Sequence, residues 1–253
     1  MPRWAPKDSI FTLSAEEPER EDKSKGPAED ELTESRAAMI EAIRDDCALY
    51  WWGKDPETGD PLIRTLDAED KENPIKVLPD WPAHRHFLHR LETQDRIAVE
   101  KVRQIMFSWF VILWLDWQCR FHQYRFCAFS KSTKDEAKAV LKKRWDRVIE
   151  PHLPAWLRQH NKAKWTETEG VITYTGTNSS IITVGENVEE RGSRGDQWNC
   201  FVVDEAACHP QLKELIAAAH PMSSQIIMIT TPQHGQPGAT YFENIIREER
   251  ETV

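Results

Sequence analysis

Hydrophobic positions in this chain fall into short blocks whose spacing is alternately helical and strand-like, with turn-forming residues between them. In residues 31–52, Ala38, Ile40, Ile43 and Ala48 recur at helical spacing, and Gly53 follows Trp51 and Trp52 as a stop, which predicts an amphipathic helix. Residues 54–70 crowd Asp, Pro and Gly and predict turns, and residues 81–91 predict a helix. From there the two signals alternate. Strands are expected at 97–102 and 124–129, each followed by a helix, at 107–120 and 133–150. Residues 171–174 and 181–184, joined by Thr175-Gly176-Thr177-Asn178-Ser179-Ser180, have the pattern of a hairpin. A buried strand at 201–203, a helix at 210–219 and a strand at 225–229 complete the series. Such alternation predicts an α/β fold with a mostly parallel central sheet, helices on both faces, and ligands at the carboxyl ends of the strands.

Composition adds an organisation to that fold. With 253 residues, 40% of them hydrophobic, the chain can bury one sizeable α/β domain with an appendage, or two small domains. Residues 14–35 hold nine acids against three bases, with few apolar side chains, and read as a solvated, disordered arm. The expected division is an acidic arm at 1–36, a helical and turn-rich extension at 37–75, and a core at 76–253. Net charge is −9, yet residues 120–164 carry twelve Lys or Arg against four Asp or Glu. That basic stretch, with Trp145 and Trp156 inside it and Trp165 at its edge, is either an exposed helix face or a phosphate-contacting surface. Five cysteines, none in a CxxC pair, fit reduced thiols. The first 22 residues lack the apolar run of a secretory signal, and the longest apolar run, 105–115, is too short to span a bilayer, so no membrane is expected.

The chemistry concentrates in Phe201-Val202-Val203-Asp204-Glu205-Ala206-Ala207-Cys208-His209-Pro210. A buried strand ending in two acids is how nucleotide-hydrolysing proteins set a magnesium-binding Asp beside a Glu that activates water. Neighbouring side chains on a strand point to opposite faces, so Asp204 is expected at the metal and Glu205 at the attacking water. The same string is also an ordinary solvated acid pair, and a phosphate loop upstream decides between the two. Residues 97–109 occupy the place of that loop. Aligned on Ser108 as the last position of GxxxxGK[ST], they put Lys101 at the first Gly, Met106 at the second and Phe107 at the Lys. The regular pattern therefore fails at three of four fixed positions. Another arrangement satisfies the same physics: Lys101 or Arg103 reaches the β and γ phosphates from the start of the loop, and Ser108 brings its hydroxyl to Mg²⁺ at a helix N-terminus.

The string from Lys101 to Trp109 resembles the deviant Walker A motif of large terminase subunits, the ATP-driven motors that package DNA into tailed-phage capsids. Members of that family move the lysine to the start of the loop and keep a glycine where this chain has Met106; a methionine fits there if its φ is negative. The resemblance spans residues 75–235 in the family's motif order. Phe126-Cys127-Ala128-Phe129-Ser130-Lys131-Ser132 looks like its second strand and Ser-bearing loop. Asp204-Glu205 looks like Walker B with the catalytic glutamate, and Ile226-Ile227-Met228-Ile229-Thr230-Thr231-Pro232 like the coupling motif.

The resemblance implies a RecA-like P-loop ATPase of the additional-strand catalytic-glutamate class. It places Lys101, Arg103, Gln104 and Ser108 at the phosphates of ATP, Ser108 and Asp204 at Mg²⁺, Glu205 at the attacking water, and Thr230 and Thr231 at the γ-phosphate sensor. Arg194, with Arg191 as the spare, takes the place of an arginine offered to a neighbouring subunit. His84 or Arg85 stands where members carry an adenine-contacting Gln. The implied partners are double-stranded DNA, a portal protein, a small terminase subunit and further copies of the chain in a pentamer. The implied location is the cytoplasm of an infected bacterium and, transiently, the procapsid, without a lasting place in the virion. Members continue into a nuclease domain; the end of this chain at Val253, soon after the coupling segment, is expected at an interdomain linker, with no nuclease activity.

Other readings compete for the same residues. A superfamily-two helicase domain would use the DEAA string as its box but would want a regular GxGKT loop. A nucleotide-free scaffold that kept the fold is the reading that Met106 and Phe107 favour. His84, His86 and His89 form HxHxxH, but only His86 and His89 share a helical face and no Cys or carboxylate lies at ligand spacing. Cys208-His209 reads as a helix start rather than a nucleophilic pair. Trp109, Trp114 and Trp117, at helical spacing, read as core.

Overall fold

The chain is described from a computed structural model, which covers residues 29–67, 69–102, 105–185, 197–231 and 235–251. The first 28 residues of the expected acidic arm lie outside it, as do Arg103, Gln104, Arg191 and Arg194. Residues 29–36, expected in the arm, instead form the start of α1 (Glu29–Asp45). The single helix expected over 31–52 is two, because Asp46 takes an extended backbone and its carboxylate accepts from the Ala48 N–H at 2.8 Å, capping α2 (Cys47–Trp52). The region expected to be turns also holds β1 (Arg64–Leu66), which pairs antiparallel with β2 (Ile75–Val77).

The expected alternation follows: α3 (Pro82–Thr93), β3 (Arg96–Glu100), α4 (Phe107–Phe121), β4 (Phe126–Ser130) and α5 (Lys134–Leu141). Thr133 caps α5, its hydroxyl accepting from the Glu136 N–H at 3.2 Å. The helix then widens into a π-helical stretch, Lys142–Ile149, before a last turn at Glu150–His152. A short α6 (Ala155–His160) leads to β5 (Ala163–Thr166), β6 (Val171–Tyr174) and β7 (Ser179–Val184), the last two forming the expected hairpin. The series ends with β8 (Trp198–Asp204), α7 (Leu212–Ala219), β9 (Ser223–Thr230) and α8 (Ala239–Glu251).

The central sheet has the order β3-β9-β8-β4-β7-β6-β5, with the first five strands mutually parallel and the β7-β6-β5 edge antiparallel. Its parallel strands are apolar on both faces because helices cover both. Along β8 and β9 the period is two: Cys200, Val202, Ile227 and Ile229 face the core under α4, whereas Phe201, Val203, Ile226 and Met228 face α7 and α8. The extension belongs to the first of these cores. Ile43, Cys47, Tyr50, Trp51, Leu62 and Leu78 pack in one cluster with Phe110 and Trp114 of α4. Among the described residues no helix is long and apolar enough to cross a membrane.

The basic stretch at 120–164 is not one surface. Arg120 is fully buried against Asp116, Trp145 is 1% exposed, and Lys142 pairs with Glu167 at 2.6 Å. Trp156 is buried as well and donates to Asp55 Oδ2 at 3.1 Å, so it does not form a base-stacking surface.

Candidate active site

Strand register brings the candidate residues to one edge of the sheet. Glu100 lies level with Thr230, Ile229 with Asp204, and Ser130 with both Val203 and Val184, so β3, β9, β8, β4 and β7 end side by side. Beyond those ends lies a cavity of about 670 Å³ whose lining includes Lys101, Ser108, Lys131, Arg144, Glu205 and Thr231.

Ser108, in the first turn of α4, donates to Asp204 Oδ1 at 2.9 Å across a separation of 96 residues. Asp204 is 1% exposed, and its other oxygen lies 3.7 Å from Lys131 Nζ. A hydroxyl and a carboxylate side by side at a helix N-terminus supply the hard oxygen donors that Mg²⁺ takes together with water, so the pair fits that ion.

Glu205 reaches the same cavity by a different route from the one strand alternation predicts. It sits after β8 with φ 57° and ψ 46°, a left-handed residue that turns the chain into a short 3-10 helix, Ala206–Cys208. Its Oε1 lies 3.3 Å from Lys101 Nζ, and its Oε2 accepts from the Thr231 N–H at 3.5 Å. Lys101 Nζ also donates to Thr231 Oγ1 at 3.4 Å. The Thr230 hydroxyl accepts from the Ala207 N–H at 3.2 Å, and the Thr230 carbonyl accepts from the Lys101 N–H at 2.8 Å. The end of β9 thus touches both the loop after β3 and the turn after β8. Left-handed backbone at a non-glycine residue is a strain that clusters at working sites.

Met106, the residue before α4, has φ 61° and ψ 14°. The condition on which a methionine fits here, a negative φ, is therefore not met: the loop keeps the left-handed turn that favours glycine and imposes it on a methionine. His84 is fully buried, its Nε2 2.9 Å from the Ile105 carbonyl and its Nδ1 3.0 Å from the Pro79 carbonyl. Both ring nitrogens are engaged with backbone, so this residue clamps the loop in front of Met106 and does not present a free edge to a base. Arg85 is turned to Asp80, with Nε to Oδ1 at 2.7 Å and Nη2 to Oδ2 at 2.5 Å, and lies over the Trp52 ring. A second cavity, of about 550 Å³, adjoins the first across Met106 and Trp109 and is lined by Leu66, Val77, Pro79 and Trp81 among others.

Three charged lining residues were given no site role from the sequence: Lys131, Glu136 and Arg144. Lys131 directly follows β4, and the rule that ligands gather at strand carboxyl ends would have found it. Arg144, in the π-helical continuation of α5, lines the cavity with Val140 and Glu136 from the same side of that helix, but in a run of bases that periodicity was hidden. Burial lowers the Arg144 pKa, against the opposing pull of Asp204 and Glu205. Cys208 is raised, by burial first and then by Glu205.

A parallel sheet in which β9 lies between the loop-bearing β3 and the acid-bearing β8 defines a RecA-like α/β fold. Among solved structures it is similar to large terminases and their ATPase domains. That of Thermus phage P74-26 superposes with a TM-score of 0.50 at 14% identity, over 66% of this chain and 68% of that one. The large terminase from another thermophilic bacteriophage gives 0.47 at 12% identity, over 68% of this chain and 44% of that one. The latter protein in complex with ADP gives 0.39 at 14% identity, over 56% and 35%. This chain thus spans less than half the length of that second terminase. No family model matches the sequence, and neither does any curated protein.

Proposed function

We propose that this chain is an ATPase domain of a DNA-packaging motor, hydrolysing ATP to drive double-stranded DNA into a procapsid. The observation that carries the reading is the convergence of Lys101, Ser108, Glu205 and Thr231 from four separate chain segments on one cavity at the sheet's carboxyl edge, with Asp204 held against Ser108. An ordinary solvated acid pair would need none of those partners. In this reading Lys101, with Arg103 and Gln104 beside it, holds the β and γ phosphates, and the N-terminus of α4 receives their charge. Ser108 and Asp204 hold Mg²⁺, which when bound neutralises charge developing on the phosphates. Glu205 orients the attacking water and takes its proton. Its carboxylate and the Lys101 ammonium are already within 3.3 Å, so the base and the phosphate-binding cation face the same point. Thr230 and Thr231 report the state of the terminal phosphate to both neighbouring loops. The base of ATP belongs in the second cavity, against Trp81 and Pro79, rather than on His84 or Arg85.

Arg194, with Arg191 as its spare, acts in trans on a neighbouring copy, which requires a ring of subunits, a pentamer on the portal protein with a small terminase subunit as a further partner. The place of action is the host cytoplasm and the procapsid.

Steady-state ATPase with Mg²⁺, on the wild type and on Glu205→Ala, tests the reading. Turnover in the wild type and a loss of about 100-fold or more in the variant, with nucleotide binding retained, is the expected result. Equal background rates together with no nucleotide binding would leave the scaffold reading in its place.

A further inference from the structure

The charged side chains that meet around the cavity mostly hold one another. Lys101 has Glu205 and Thr231, Lys131 has Asp204, and Ser108 completes the Asp204 contacts. Arg144 stands apart. Among the described residues no carboxylate lies within ion-pairing distance of its guanidinium, and its Nη1 is buried without a hydrogen-bond partner. Asp204 and Glu205 act on it only from beyond contact. The group lies over the ring of Trp109, 5.4 Å from the centroid, at the first turn of α4 beside Ser108. Withdrawing a guanidinium from water without a partner is costly, and a side chain of this length has exposed alternatives.

The element that carries Arg144 is fixed firmly enough to aim it. Arg144 sits in the π-helical stretch that continues α5, a geometry frequent at functional sites. The next residue, Trp145, is 1% exposed and donates from Nε1 to Asp116 Oδ1 at 2.6 Å, in the middle of the core. Ala137, Leu141, Trp145 and Val148 form the buried face of the helix, and Glu136, Val140 and Arg144 the face on the cavity. A planar fork of donors held against an aromatic ring, with one arm unsatisfied, is suited to two oxygens of a phosphate.

We propose that Arg144 is a further phosphate-binding residue of this cavity, a cation that the chain supplies in cis to its own polyphosphate ligand. This rests on the ATPase reading above. It is separate from Arg194, which that reading assigns to a neighbouring subunit.

The test is equilibrium binding of ATPγS, and of tripolyphosphate as a competitor without a base, to the full chain and to Arg144→Gln, Arg144→Met and Arg144→Lys. Met keeps an unbranched stem against Trp109 should Gln disturb that packing. Loss of the fork should weaken both ligands about tenfold in Gln and Met, with Lys recovering part of it. The melting temperature without ligand should stay within about 3 °C of the wild type, which a purely structural role would not allow. Wild-type affinity for tripolyphosphate in the Met variant overturns the proposal and leaves the ATPase reading intact. Absence of any binding by the wild type sinks that reading, and this proposal with it.

Discussion

At φ 61°, Met106 holds a left-handed backbone that costs a non-glycine residue about 1–2 kcal/mol. Its side chain recovers part of that by packing against the core under α4. Met106→Gly removes the strain but also the packing, and it loosens the unfolded chain by about 0.5–1 kcal/mol, so urea unfolding should show a net change within about 1 kcal/mol. Affinity for ADP should rise several-fold, because a backbone without a Cβ lets phosphate approach; an unchanged affinity in a titration would show that Met106 is no obstacle. His209 is the second residue with a testable conflict. It is fully buried, neither ring nitrogen has a partner, and burial first, with Lys131 second, lowers its pKa to about 4, against the raising effects of Glu136 and Asp204. An ordinary histidine in the unfolded chain titrates near 6.5, so between those values the unfolded state binds the extra proton. The stabilisation is therefore complete above about pH 6.5 and is lost as pH falls toward 4, in total about 3 kcal/mol. His209→Phe should flatten the stability slope between about pH 6.5 and 5 by about 1.4 kcal/mol per pH unit; parallel slopes in urea titrations would assign the acid loss to other groups.

At the scale of elements, β9 is the strand that touches both sides of the site. Thr230 accepts from the Ala207 N–H on one side and from the Lys101 N–H on the other. Thr230→Val keeps the shape and removes only the hydroxyl, leaving the buried Ala207 N–H unsatisfied at about 1–3 kcal/mol. ATP turnover should fall by about tenfold with ADP affinity held. A fall in ADP affinity of the same size would mean that the hydroxyl supports binding instead. The position of β9 between β3 and β8 was not legible, because strand order is set by crossovers that chain order does not give, whereas the parallel strands were legible because burial on both faces makes them continuous apolar runs. β5 was not legible either: Ala163-Lys164-Trp165-Thr166 is a four-residue edge strand with a charge in it, and its pairing with β6 supplies what its composition lacks. Asp204, Glu205, Ser108 and Lys101 were legible because each lies at a strand or helix end in the string that names it. The role of His84 was not, since it depends on the carbonyls of Pro79 and Ile105, which any sequence could supply.

Across the whole molecule, one buried carboxylate joins the extension to the core. Asp116 of α4 accepts from Tyr50 of α2, from Trp145 at 2.6 Å, from Tyr174 of β6 at 2.5 Å, and from Arg120 Nε at 3.0 Å, while Arg120 Nη2 donates to Glu150 at 2.5 Å. Burial alone would raise the Asp116 pKa, but Arg120 and the donated hydrogen bonds outweigh it and hold the carboxyl below its usual range. A charge so enclosed has no water to fall back on, and removing any partner leaves it undercompensated. Of the segments that meet there, α2 belongs to the extension that composition alone divides from the core at residue 75, and Trp51 and Leu62 of the same extension pack in the apolar cluster with α4. They cover α4, whose 15 residues are buried almost all round and would otherwise expose Trp51's neighbour Phe110 to water. A chain beginning at residue 76 should therefore show no cooperative urea transition, whereas one beginning at residue 29 should melt like the full chain. Tyr50→Phe in the full chain, which deletes a single donor to Asp116, should cost about 1–3 kcal/mol. If residues 76–253 unfold cooperatively with undiminished stability, the extension is an independent unit resting on the α/β fold, and the shared core does not hold the two together.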